Sequence, residues 1–535
     1  MLPFQKTSLY KQSLTVIQDV MGSFERKHHP LLKERIEQEA FTVTTELAKA
    51  FSRKNKKEIG KYLDKSVEGA LGMMALVDLA EKSGEISTDR KQLLLRKLSD
   101  FERQLVSFEK KRKKILILTG SVGRGHTTAA RAVAEAFEYL HGYDYSVEIV
   151  DIMEMLNSTL NAVSKTYYES SVKYAPGAFK FFYESTNNNS GQMMKLINQV
   201  NYPFVLTKVK KFFEEEKPDV VISTFPSWNY LASEIWKKYR RDAKFISIIT
   251  DSIAVHNSWL IADTDYHIVA NKDTADVIRE YGIPEEKIKI LGFPVCLNFM
   301  ETFEKKERDS VITELGMNPK NFTVLFLPST QSQRKMVKII EGLKELKNLN
   351  IIVVTGKEHG AKTRVEKKAL SQNMKIFGWT ERMSDFIRSA DLVITKAGGA
   401  IVMESIAAGK PMIITSIIPG QEQGNAELIK RYQLGIIDDL KKSAVSDHVS
   451  YIRENYDFFQ RKIEKIRKPD AAIKIAQFVT ELLEPVRAGR RRHGASTYRA
   501  TTYTLLGSSR YSLFVSLSKE ISRRSVRSSN TSGFA

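Results

Sequence analysis

The stretch Asp391–Ile429, DLVITKAGGAIVMESIAAGKPMIITSIIPGQEQGNAELI, decides how the chain reads. DLVIT is a short continuous apolar run, the pattern of a strand buried on both faces of a parallel sheet. Lys396-Ala397-Gly398-Gly399 then removes side chains where the backbone must turn. Ala400 to Ala408 is helical in period and stops at Gly409, a residue suited to the end of a helix. Lys410-Pro411 leads into a second buried strand, MIITSI, and the loop IPGQEQGN opens another helix. The spacing predicts a βαβ unit with a glycine turn at the carboxyl end of its first strand. In open α/β sheets ligands sit at that end, with anions facing a helix N-terminus.

The polar residues of this stretch suit a hydroxyl-rich ligand. Glu404 lies five residues past Gly399, one turn into the helix, where a carboxylate can accept two hydroxyl hydrogen bonds. Gln421, Glu422, Gln423 and Asn425 crowd one short loop, more amide and carboxylate groups than a connection needs. Ordinary capping and solvated polar residues would give the same spacing.

A second α/β half begins at Ile115. ILILTG reads as a buried strand, and SVGRGH runs directly into the helix TTAARAVAEAFEYL. Gly120, Gly123 and Gly125 permit a tight turn with exposed amides, and His126 stands at the helix start. The spacing is not the dinucleotide fingerprint. A histidine at this position is a cap, a packing residue, or a general base facing a cleft. PDVVISTFP and KFISIITD are further strands, the latter ending in Thr250-Asp251 with His256 and Trp259 close behind. That Asp and His could orient one another, meet an acceptor, or anchor a loop.

Composition sets outer limits. At 535 residues with 42% hydrophobic residues, the chain holds material for two or three domains. The single cysteine, Cys296, excludes an internal disulfide and fits a reducing compartment. The start MLPFQKTSLYKQSLTVIQ lacks the apolar core of a signal peptide, and no charge-free apolar run approaches about 18 residues. The formal charge of +20 points to an anionic partner, membrane surface or nucleic acid. Between Met153 and Phe213 aromatics interleave with lysines, among them Phe181, Phe182 and Lys180. This describes an interfacial membrane element, a single-strand nucleic-acid groove, or two core helices with lysines on their wet face.

Together, SVGRGH, STFP, the T-D…H…W of TDSIAVHNSW and the TKAGG…E…PGQE…N stretch resemble glycosyltransferase family 28. The resemblance spans roughly Lys113 to Glu484. It is nearer the diacylglycerol branch (monogalactosyldiacylglycerol synthases and processive diacylglycerol glucosyltransferases) than the N-acetylglucosaminyltransferases acting on polyprenyl-linked intermediates. It implies the GT-B fold, two Rossmann-like domains facing a cleft, and an inverting hexosyltransferase needing neither catalytic metal nor cofactor. The implied partners are a UDP-hexose, diacylglycerol or a related lipid, and an anionic membrane surface, with no nucleic acid. The implied location is cytoplasmic, peripheral on the inner face of the membrane.

On this resemblance His126 and Asp251 are the catalytic candidates. Gly398, Gly399, Glu404, Gln421, Glu422, Asn425, Arg334, Phe377 and Met383 would bind the donor, with Phe377 to Met383 at the uracil. Gly125, His256, Trp259, Phe181 and Phe182 would face the acceptor or membrane. One loop departs from the family: STQSQRK has no glycine where relatives are glycine-rich, leaving hydroxyls and Arg334 for the diphosphate. The expected layout is a helical extension over 1–112, an acceptor and membrane domain over 113–296, a donor domain over 297–484 and a disordered basic tail over 485–535. Glucose and galactose both remain as donor hexoses. The rival readings are the polyprenyl-linked N-acetylglucosaminyltransferase, a UDP-sugar epimerase and a catalytically inactive nucleotide-sugar-binding protein.

Overall fold

The computed structural model describes residues 3–24, 30–52, 56–120, 125–151, 154–155, 166, 168, 170–172, 175–188, 207–226, 229–239, 243–328, 333–356, 363, 366, 373–438 and 444–484. The basic tail, most of the SVGRGH turn and residues 329–332 of the STQSQRK loop lie outside the described residues, as does the Arg334 side chain.

Four helices open the chain: α1 (Ser8–Met21), α2 (Pro30–Phe51), α3 (Lys56–Lys82) and α4 (Thr88–Lys111). On α2, Ile36, Ala40, Val43 and Leu47 recur at three and four spacing, and all are buried. They pack with Met73, Val77, Leu98 and Phe101 into a core separate from the sheets. This unit docks on the first α/β half around Tyr143 and Asp144. The Tyr143 amide donates to Thr7 Oγ1 at 3.0 Å, and Ser8 donates to Asp144 at 2.9 Å. The Phe51 and Tyr143 rings stack with centroids 5.5 Å apart.

The first half is a parallel sheet of β1 (Lys113–Thr119), β2 (Tyr145–Asp151), β3 (Val220–Ser223), β4 (Lys244–Ile248), β5 (Tyr266–Val269) and β6 (Ile288–Ile290), ordered β2-β1-β3-β4-β5-β6. Helix α5 (Gly125–His141) follows β1, and α6 (Pro176–Asn188) lies between β2 and β3 in the chain. The second half is a parallel sheet of β7 (Phe322–Phe326), β8 (Leu349–Val354), β9 (Met374–Phe377), β10 (Leu392–Lys396), β11 (Met412–Ser416) and β12 (Gly435–Ile437). Its order is β12-β11-β10-β7-β8-β9, the doubly wound Rossmann arrangement. Here α7 (Gln333–Lys344) follows β7, α8 (Met383–Ser389) follows β9, α9 (Gly399–Ala407) follows β10 and α10 (Gln423–Tyr432) follows β11.

The βαβ unit expected over 391–429 is therefore present as β10-α9-β11 leading into α10. Strand order reverses between β1 and β3 in one sheet and between β10 and β7 in the other. Crevices open at such switch points, beside the carboxyl ends of the strands. The last helix, α11 (Ala471–Leu483), crosses back to the first half. Its Ala472, Ile475, Ala476 and Val479 are buried with Val133 and Phe137 of α5. Gly292 permits the return path: its φ is +108°, and a β-carbon there would stand 2.7 Å from that of Ala471. Among the described residues no helix is long and apolar enough to cross a membrane.

Candidate active site

Three strand ends in the first half converge on one imidazole. His126 begins α5, just past β1; Thr224 follows β3; Thr250 follows β4. Nδ1 of His126 lies 2.7 Å from the Thr224 carbonyl oxygen and 3.0 Å from Thr250 Oγ1. A carbonyl only accepts, so Nδ1 carries the proton and Nε2 holds the free lone pair. Edge-on contact with Phe225, at 5.0 Å between centroids, and a tilted one with Trp259 at 6.1 Å fix the ring plane. Burial pushes the imidazole pKa down to about 4, against the opposing pull of the Thr224 carbonyl. The group is thus neutral and proton-accepting at neutral pH. Gly120 makes the cluster possible, since a β-carbon there would run into the Phe225 ring at 2.6 Å.

Asp251 stands one residue past Thr250. Its Oδ2 accepts from Trp259 Nε1 at 2.8 Å and from the His256 amide at 3.4 Å. Burial pushes the carboxyl up to about 6, and these two donors hold it from rising further. The His256 ring does not pair with Asp251. Its Nδ1 is 2.7 Å from Ser258 Oγ, its Nε2 is 3.3 Å from Thr186 Oγ1, and burial depresses its pKa. Trp259 requires a correction: it is fully buried beneath Asp251 and cannot face an acceptor or a membrane. Its part is to hold the carboxylate.

In the second half, β10 ends at Lys396 and α9 begins at Gly399 with Gly398 as its cap. Glycine brings no side chain to satisfy the first amides of α9, which stay available for an anion. The Lys396 ammonium stands beside this turn, 2.8 Å from Glu422 Oε1. Glu422 is buried, and its Oε2 accepts from the Ile418 amide at 2.9 Å. Each oxygen of Glu422 thus has one partner, which leaves further acceptor positions on the carboxylate. It holds its own loop and Lys396. Asn425 is also buried; its Nδ2 donates to the Ala397 carbonyl at 2.9 Å, while Oδ1 has no partner among the described residues.

The remaining donor-side candidates are spread over β9 and the helices after β9 and β10. Glu404 is half-buried on α9, near enough to Cys296 that its charge adds to burial and to Glu135 in pushing the thiol up to about 11. Phe377 ends β9 with its ring 4.8 Å from that of Phe386. The Phe377 carbonyl accepts from both the amide and the hydroxyl of Thr355, at 2.9 and 3.1 Å. Met383 starts α8 and packs on the core of the second half.

The halves meet over these elements. A β-carbon on Gly125 would stand 3.8 Å from the amide nitrogen of Ala400, and one on Gly399 would stand 3.6 Å from the Thr250 carbonyl oxygen. Gly424 lies so close to Ser252 that any β-carbon would overlap the Ser252 carbonyl. The turn it presses on has Ile253 at φ +59°, a left-handed conformation costly for a β-branched residue. On the outer surface, Phe181 and Phe182 of α6 are exposed, Phe181 by 74%. Among the described residues no group of three His, Cys, Asp or Glu side chains could hold a metal.

The sequence motifs already carried Thr224, Thr250 and Lys396, but local spacing did not reveal their roles. Lys396 ends β10 and the threonines stand just past β3 and β4, and that position was the available signal.

Two Rossmann-like sheets meeting at their switch points, with a histidine at one helix start and an uncapped helix N-terminus opposite, define a GT-B-type architecture. A family model for monogalactosyldiacylglycerol (MGDG) synthase matches residues 126–295, and one for the glycosyltransferase family 28 C-terminal domain matches residues 323–480. The chain thus carries the domains of both models, the second being the C-terminal domain of glycosyltransferase family 28. It is similar to the processive diacylglycerol beta-glucosyltransferase of Staphylococcus epidermidis, 26% identical over 70% of this chain and 93% of the relative. The enzyme of that name from Staphylococcus carnosus is 27% identical over 62% of this chain and 83% of its own. The crystal structure of Acinetobacter baumannii MurG aligns at 13% identity and a TM-score of 0.44, over 69% of this chain and 99% of that one.

Proposed function

We propose that the protein transfers a hexose from a UDP-sugar to diacylglycerol at an anionic membrane surface, with inversion at the anomeric carbon. The observation that carries this reading is the apposition of His126 on α5 and the uncapped N-terminus of α9, with Gly125 and Ala400 nearly in contact. The first supplies a proton acceptor, the second a place for a diphosphate.

In this account the acceptor hydroxyl approaches Nε2 of His126. Its oxygen bonds to the anomeric carbon as the bond from that carbon to the diphosphate oxygen breaks, and the proton passes to Nε2. The charge released on UDP is met by the α9 amides and the Lys396 ammonium. The Thr224 carbonyl holds Nδ1–H and so stabilises the imidazolium formed in the step. Asp251 orients the acceptor. Glu404 accepts the ribose hydroxyls, and Asn425 Oδ1 is an acceptor awaiting a ligand hydroxyl. UDP-sugar is a substrate and no cofactor takes part. The lipid acceptor draws support from the names of the Staphylococcus relatives, and work at a membrane surface from the exposed pair Phe181 and Phe182.

The test is incubation with labelled UDP-glucose and UDP-galactose, with and without diacylglycerol in anionic vesicles. The reading requires labelled glycolipid that depends on diacylglycerol. Free sugar released without lipid, or no turnover despite UDP binding, contradicts it.

A further inference from the structure

Helix α6 carries exposed Phe181 and Phe182 on one face, and its other face reaches both halves of the molecule. Toward the first half it is tied to the loop after Asp251. The Tyr183 ring meets the His256 ring edge-on at 4.7 Å. Asn187 accepts from the Asn257 amide at 2.7 Å through its side chain and from Asn257 Nδ2 at 2.9 Å through its carbonyl. Toward the second half, the Tyr183 ring lies directly on Gly420: a β-carbon there would stand 2.6 Å from Cδ1. The backbone of Gly420 has φ +84°, so glycine is required twice over. One residue further, Gln421 Oε1 accepts from the Tyr168 hydroxyl at 2.6 Å. Tyr168 is itself braced edge-on against Phe179 of α6, at 5.6 Å.

We propose that Tyr168 and Tyr183 are positioning residues for the donor-sugar loop at Gly420 and Gln421, so that the first half helps select the hexose bound by the second. The inference rests on the proposed UDP-hexose transfer. Its chemistry follows from the carboxamide. With Oε1 occupied by a phenol, Gln421 presents its NH2 group, a donor in a fixed place. Glucose and galactose differ in the direction of one hydroxyl, and a fixed donor distinguishes two directions where a freely rotating amide does not. Tyr183 sets the height of the loop by filling the space above Gly420.

The experiment compares kcat/KM for UDP-glucose and UDP-galactose in the full chain and in Tyr168→Phe, Tyr183→Phe and Tyr183→Leu, alongside UDP affinity and the thermal midpoint. Tyr168→Phe loses one hydroxyl and should shift the ratio of the two donors by about five- to tenfold, the scale of one hydrogen bond, with UDP affinity and midpoint unchanged. Tyr183→Leu should shift the ratio likewise, and Tyr183→Phe, which keeps the ring, should restore it. A ratio unchanged in both Tyr168→Phe and Tyr183→Leu overturns the proposal, as does an equal loss for both donors. A wild-type protein that transfers neither hexose overturns the functional reading instead. The ratio of UDP-glucose to UDP-galactose affinity, measured by calorimetry on the same variants, then decides the part of the tyrosines.

Discussion

The amide nitrogen of Ala400 lies 3.8 Å from where a β-carbon on Gly125 would stand, so the start of one helix in each half faces the other with almost nothing between. His126 is the next residue on one side and Gly399 the preceding one on the other. The proposed base and anion site are therefore neighbours only while the halves are closed, and the contacts that hold them closed are open to test.

Gly424 is the tightest of these contacts. Gly424→Ala would press a methyl group into the Ser252 carbonyl and hold the halves apart. Misplacement by about 1 Å can cost about 10²-fold in rate. We expect kcat to fall on that scale while UDP affinity, measured by calorimetry, changes little. An unchanged kcat would mean that closure does not use this contact.

For the nucleotide, Glu404→Ala should weaken UDP-sugar binding. A charged hydrogen bond contributes about 1.5–3 kcal/mol, so calorimetry should register a loss of roughly tenfold or more. A folded variant with unaltered affinity removes Glu404 from the site.

The pH profile tests Asp251. Its carboxyl is pushed up to about 6 by burial, so the ionised, acceptor-orienting form is present above that value and is lost as pH falls through it. The acid limb of kcat/KM should accordingly lie near 6. Trp259→Phe removes a donor that favours the carboxylate, and the limb should then move to higher pH. Movement in the other direction would contradict the assignment.

Phe181, Phe182 and Lys180 form the outer face proposed to meet lipid. Binding to anionic vesicles should weaken with salt, because exposed charges are screened over about 10 Å at 0.1 M. Replacing all three should lower vesicle binding and leave UDP affinity alone. If the triple variant keeps its vesicle binding while a chain ending at Pro485 loses it, the basic tail is the anchor.

Much of the frame was legible from local pattern. The runs ILILT, VVIS, FTVLF, LVITK and MIITS read as strands because each is buried on both faces, and an apolar run bounded by turn residues encodes that directly. His126, Gly398 and Glu404 stand out as candidates because glycine turns and helix starts are local features. What stayed hidden depends on partners distant in sequence. Trp259 carries an indole that sequence cannot aim, and only the fold turns it inward onto Asp251. The ion pair that ties Glu422 to Lys396, at the end of β10 and 2.8 Å away, is likewise set by the fold. The Tyr168 contact with Gln421 crosses more than two hundred residues, and no spacing rule reaches that far.

The central claim is that His126 takes the acceptor's proton through Nε2, and turnover of His126→Ala tests it most directly. A positioned base contributes typically ~10²–10⁴-fold. Glycolipid formation by His126→Ala should fall by a factor in that range with UDP affinity retained, while Asp251→Asn keeps part of its activity. Near-normal turnover in His126→Ala together with a dead Asp251→Asn would contradict the account and make the aspartate the base.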